Sequence, residues 1–225
     1  MVKRTKIKKT RKDKLTSGNV YHVFTKSIAQ FNIFNNNDEA LRMLKTISYY
    51  QRINPETKFS KYIILTKKTK TGKERIIQEK EKLIEIIAYC IMPTHIHLIL
   101  KQLKKNGISK FMNNILNSYS RYFNTKHKRK GPLWETRFKN ILVETDEYLL
   151  HLTRYVHLNP VTANLVDKPE DWQASSYNEY LLKPDNKICE YSDILDIDTV
   201  SYKKFVNDRI SYQKELAKIK HLLLD

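Results

Sequence analysis

The sequence predicts an α+β fold: an antiparallel sheet with helices on one face, followed by a small helical C-terminal tail. Three observations carry this. Residues 84–101 hold two apolar stretches broken by Pro93-Thr94, and the second alternates with period 2. Residues 108–124 instead repeat apolar side chains at helical spacing. Strand-like and helix-like stretches follow one another as β-α-β-β-α-β-α, the order of a ferredoxin-like sandwich.

Each element has its own reason. Residues 1–17 are a basic arm; the first 14 carry eight Lys/Arg against one Asp, a block that repels itself. Tyr21 to Ser27 alternates bulky and polar residues, as a strand does. Asp38 is suited to cap a helix from Glu39 to about Gln51, with Leu41, Leu44 and Ile47 on one face. Tyr62 to Leu65 is a short strand candidate, and KKTKTGKER from Lys67 is a basic loop turning at Gly72. Ile84–Met92 and His95–Lys101 read as a tight hairpin. Ile108, Phe111, Met112, Ile115, Leu116, Tyr119 and Tyr122 form the apolar stripe of the next helix. Phe138 to Val143 reads as a strand. Thr145 then caps a helix with Asp146 and Glu147 in its first turn, and Pro160 is expected to stop it at Asn159. Residues 18–182 thus make one domain. Residues 183–225 are an acidic tail with two short helices expected near 202–212 and 213–224.

Composition narrows the class. The 225 residues suffice for a core without staples, and two cysteines exclude a disulfide framework. No apolar run reaches the roughly 18–20 residues of a membrane span, and the basic N-terminus lacks the apolar stretch of a signal peptide. A cytoplasmic protein, nucleoid-associated and with no membrane partner, is the expectation. The net charge of +18 is uneven. Residues 1–140 hold 32 Lys+Arg and 9 Asp+Glu, whereas residues 141–225 hold 10 and 15. A basic body of this kind suits a polyanion, nucleic acid first.

Two pairs of side chains suggest chemistry. His95 and His97 are i and i+2 on a strand, so both imidazoles share one face while Ile96, Leu98 and Leu100 share the other. Taken alone, the pair fits an ordinary polar strand face as well as a metal site. Tyr155 and Asn159 are i and i+4 on a helix, about 6 Å apart along its axis. Taken alone, that pair fits packing and a helix end. His22, His127, His151 and His157 are not recruited as ligands; packing is the expected role of His22. Tyr119 and Tyr122 belong to the core stripe.

The motifs MPTHIHLIL, GPLWETRFK, RYVHLNPVTANLV and DWQASSYNEY occur in that order. In this combination the chain resembles the REP-associated tyrosine transposases, relatives of the single-strand insertion-sequence transposases in the HUH endonuclease superfamily. The resemblance covers roughly residues 18–182; residues 188–212 resemble the variable C-terminal segment more loosely. It implies that His95 and His97 are metal ligands and that Tyr155 is the nucleophile. Asn159 would complete the metal site where many relatives carry Gln. It also implies a ferredoxin-like core and a homodimer.

The expected activity is that of a metal-dependent single-stranded DNA endonuclease and strand transferase. It would cut and rejoin near hairpin-forming palindromic repeats through a 5′-phosphotyrosine, using Mg²⁺ or Mn²⁺. The basic, aromatic-interleaved stretch of Lys126, Lys128, Arg129, Lys130, Trp134, Arg137 and Lys139 would grip the strand, with Trp134 and Phe138 either stacking on bases or packing in the core. The alternatives are a replication or transfer initiator nuclease of the same superfamily, a non-catalytic DNA-hairpin-binding regulator, and a basic RNA-binding protein.

Overall fold

The computed structural model describes residues 14–52, 58–68, 81–182, 184 and 187–215. Most of the basic arm, the loop around Gly72 and most of the second expected tail helix lie outside these residues.

Four strands form the sheet: β1 (Val20–Lys26), β2 (Ile84–Met92), β3 (His95–Gln102) and β4 (Lys139–Val143). They are antiparallel in the order β2-β3-β1-β4, as the ferredoxin-like reading expects. Register decides which side chains share a face. Phe24 stands opposite His97 and Lys139, and His22 stands opposite Ile99 and Ile141. The other face carries Tyr21, Val23, Ile96, Leu98 and Leu100, all buried.

That second face is covered by α1 (Asn37–Tyr50) and α3 (Gly107–Lys126), which pack on each other. The Ile108 N–H donates to Gln102 Oε1 at 3.2 Å, tying α3 to the end of β3. The one-face layout holds for these two helices. A further helix, α4 (Asp146–Thr162), lies over the histidine face and packs mainly on β2.

Four local details differ from expectation. The cap of α1 is Asn36, extended in backbone, whose side chain accepts from the Glu39 N–H at 3.1 Å; Asp38 sits inside the first turn, favourable for the helix dipole. The buried face of α1 runs through Ala40, Met43, Leu44 and Ile47, and Leu41 is 45% exposed. Tyr62 to Leu65 is not a strand but part of α2 (Phe59–Lys68). Phe59 and Tyr62, three apart on one helical face, pack on Tyr49 with ring centroids at 5.2 and 4.6 Å. Burying that aromatic pair outweighs the β preference of Ile63-Ile64. Finally, α4 runs through Pro160 to Thr162. Proline has no N–H for the Val156 carbonyl, but the Asn159 side-chain amide donates to Val156 at 3.5 Å and to Tyr155 at 2.9 Å.

α3 starts tight against the chain leading into β2. A Cβ on Gly107 would lie 2.3 Å from the Leu83 carbonyl oxygen, so only glycine fits there. On the outer edge of β2, residues 174–176 run alongside: Ile91 N–H donates to Ala174 O at 2.9 Å and Ser176 N–H to Tyr89 O at 3.0 Å.

The chain beyond residue 182 joins the same core. α5 (Tyr177–Leu182) places Glu179 to accept from the Tyr89 hydroxyl at 2.7 Å and from the Ile188 and Cys189 N–H groups at 2.8 Å. α6 (Thr199–Asn207), capped by Asp198, begins earlier than expected, and residues 210–215 are helical. Tyr191, Leu195, Tyr202 and Val206 are buried among core residues. Among the described residues no helix is long and apolar enough to cross a membrane.

Candidate active site

The β1–β3 register puts His22, Phe24 and His97 on one patch of sheet, and α4 lays Tyr155 across it. His97 is 7% exposed and Tyr155 43% exposed. Their rings meet edge to face with centroids 5.8 Å apart, and Tyr155 stands 6.3 Å from His22. Between sheet and helix lies an open cavity of ≈ 420 Å³ lined by His22, Phe24, His97, Ile141, Tyr148, His151, Leu152 and Tyr155. Tyr155 is held there because α4 is well anchored: the Thr145 hydroxyl accepts from Tyr148 N–H at 3.1 Å, and Leu149, Leu152 and Val156 are buried.

His22, His95 and His97 are neutral bases. Burial holds His97 down to about 2, helped by repulsion from His22 and His95. Burial holds His22 down to about 4. His95 is lowered by burial and by nearby Lys26. Both members of the expected metal pair use Nδ1 within the protein: His97 with His22 Nε2 at 2.9 Å, His95 with Thr94 Oγ1 at 2.9 Å. Among the described residues neither Nε2 has a partner, so each can offer a lone pair. Burial raises Tyr155, while the adjacent Asn159 side chain offsets part of that rise. The phenol is therefore protonated at neutral pH and must lose its proton to act as a nucleophile.

The expected residues are brought together unequally. His95 sits beside His97, ring centroids 5.0 Å apart, but outside the Tyr155 cavity. Asn159 also lies outside it, its amide nitrogen turned to its own helix, which leaves Oδ1 as its remaining donor atom. Among the described residues no three His, Cys, Asp or Glu side chains gather as metal ligands. Imidazole nitrogen and amide oxygen are nevertheless donor types that suit Mn²⁺ or Mg²⁺. His157 is buried and spans Tyr202 Oη at 2.7 Å and Ser176 Oγ at 2.8 Å, consistent with its exclusion as a ligand. Tyr119 is core, its hydroxyl donating to the Ile33 carbonyl.

The basic stretch divides. Lys128, Lys130, Arg137 and Lys139 are exposed, and Lys139 lies on the His97 face. Lys126 is engaged by buried Glu39 at 2.8 Å. Arg129 folds back onto Asn124 Oδ1 and the Pro132 carbonyl, and stacks 5.0 Å over Phe31. Phe138 is buried. Trp134 donates to the Leu116 carbonyl at 3.2 Å, yet one side of its ring lines a ≈ 670 Å³ groove with Lys110, Asn113, Asn117 and Arg137.

The family profile "Transposase IS200 like" matches residues 45–159, a span that includes both histidines, Tyr155 and Asn159. The chain belongs to the IS200-like transposase family. A Haemophilus influenzae protein named as a REP-associated tyrosine transposase is 30% identical to it over 105 residues, 42% of this chain and 59% of that relative. The chain thus spans about three fifths of the length of that curated relative. The solved structure of a REP-associated tyrosine transposase bound to a REP hairpin aligns over 84% of this chain and 95% of the other, with 16% identity and a TM-score of 0.49.

One residue lining the Tyr155 cavity, His22, was expected only to pack. His22 reaches His97 only because β1 lies beside β3 in this register, and strand pairing is a tertiary fact. The available signal was its alternation in phase with Phe24.

Proposed function

We propose that this chain cleaves and rejoins single-stranded DNA next to hairpin-forming repeats, with Tyr155 as nucleophile. The observation that carries the reading is the half-exposed Tyr155 hydroxyphenyl facing His97 across an open cavity. Membership of the transposase family supports it. The repeat-associated name of the curated relative supports a repeat as the target.

In this reading His95, His97 and Asn159 hold Mg²⁺ or Mn²⁺. A divalent cation there supplies Lewis-acid charge against the non-bridging phosphate oxygens. The chain's own groups do the rest. Tyr155 Oη gives up its proton and bonds to phosphorus; the P–O3′ bond breaks and the departing oxygen takes up a proton as a 3′-hydroxyl. The 5′-phosphotyrosine conserves the ester, so the reverse attack rejoins a strand without ATP. Exposed Lys128, Lys130, Arg137 and Lys139 would hold the backbone, and the Trp134 groove would take an unstacked base. A homodimer acting on DNA in the cytoplasm completes the proposal.

The test incubates the protein with single-stranded DNA hairpins, with and without Mn²⁺, on a denaturing gel. A metal-dependent covalent adduct is expected. Tyr155→Phe abolishes it while hairpin binding stays near wild type. An undiminished adduct with Y155F removes Tyr155 from the role, and hairpin binding without any adduct favours a regulator.

A further inference from the structure

His22 is 6% exposed, and its Nε2 lies 2.9 Å from His97 Nδ1. The rings lie edge to edge and nearly coplanar, with centroids 5.2 Å apart and planes 20° apart. Phe24 packs on both, at 5.0 Å from His22 and 6.0 Å from His97. An imidazole binds a cation through a nitrogen lone pair, so a neutral His97 that offers Nε2 carries its proton on Nδ1. That proton needs an acceptor, and among the described residues the one in reach is His22 Nε2.

We propose that His22 is a positioning residue: it accepts the His97 Nδ1 proton in a hydrogen bond, fixing the tautomer and ring angle in which His97 Nε2 faces a divalent cation. This rests on the proposed metal role of His97. Ligating histidines ordinarily have such an acceptor behind them, a carboxylate, carbonyl or water. Here a second imidazole on the neighbouring strand fills the place, and Phe24 keeps the pair from rotating. His95 is served differently, by the Thr94 hydroxyl, which can either donate or accept.

The test measures Mn²⁺ binding to the full chain by the loss of the free-ion electron paramagnetic resonance signal. His22→Leu is expected to weaken binding about 10–100-fold, the usual cost of losing such a partner. His22→Gln, whose Oε1 can accept the same proton, is expected to restore most of it. Metal-free hairpin affinity should be equal in all three proteins. His97→Ala is the check on the underlying reading: unchanged Mn²⁺ binding in H97A sinks the metal role of His97 itself. If H97A weakens binding and H22L does not, the positioning role of His22 is wrong. If H22Q is as weak as H22L, the acceptor role is wrong, and His22 is acting as a ligand. A readout that needs no variant is the imidazole ¹⁵N spectrum of the wild-type protein. A protonated Nδ1 on His97 is required, and a protonated Nε2 overturns the proposal.

Discussion

Glu39 shows how much one buried carboxylate can organise. It is fully buried, yet it accepts from Lys126 Nζ, from the Asn35 backbone and side chain, and pairs with His127 Nε2 at 2.6 Å. Burial alone would raise its pKa; these partners instead hold it down to about 2. A carboxylate depressed in the folded state adds stability that is present above its unfolded pKa of about 4.5 and is lost as pH falls toward 2. Melting temperature should therefore fall across that window, and Glu39→Gln should flatten the fall. Glu39→Ala should cost about 1–3 kcal/mol at pH 7 in denaturant titration, because the Asn35 N–H loses its acceptor. At this scale the sequence was generous where geometry is local. His95 and His97 share a face by strand periodicity, and Tyr155 and Asn159 follow from helical periodicity. It could not give the partners of His22 and Glu39, which lie 75 and 88 residues away.

Elements were legible wherever one periodicity dominated, as in the β2–β3 hairpin, α3 and α4. The misreadings have physical causes. Ile63-Ile64 looked extended because β-branching favours strands, but a pair of rings three residues apart found α1. Pro160 looked terminal because proline removes a donor, but Asn159 supplies that donor from its side chain, keeping the tyrosine helix intact through the residue expected to complete the metal site. The sharpest constraint on any element is the start of α3. Gly107→Ala would drive a methyl group into the Leu83 carbonyl, a backbone atom that cannot turn aside. Destabilisation of about 1–3 kcal/mol is expected from such overpacking. A chemical denaturation midpoint equal to wild type would show that α3 can slide away from β2 without cost.

For the molecule as a whole, charge and core are distributed differently. The positive charge is concentrated in residues 1–140, whereas the core draws on the C-terminal region as well, through Tyr191, Leu195, Tyr202 and Val206. Residues 183–225, expected as an acidic appendage, carry eight Lys+Arg against eight Asp+Glu. They read as an appendage because their apolar residues are scattered among loops, with no strong period to announce a packed face. Hairpin affinity should fall linearly in log–log plots against salt. Each exposed cation removed, Lys128, Lys130, Arg137 or Lys139, should reduce the slope by about 0.7 if it contacts a single-strand phosphate. Lys126→Ala should change stability more than slope, because Glu39 already holds that charge. Slopes unmoved by all four exposed substitutions would exclude this face from the DNA path.

The strip 174–176 has a consequence for how the protein survives in a crowded cell. A sheet edge is a template on which foreign chains can grow, and aggregation begins at such places. Here β2, the most apolar strand, has its outer edge occupied by Ala174 and Ser176 of the same chain. An intruding segment must first peel that strip away. Ser176 also holds His157 on α4, so an invaded edge would loosen the helix that carries Tyr155 along with the sheet. Protection against misassembly and alignment of α4 thus meet at one residue, Ser176, through its backbone and its side chain.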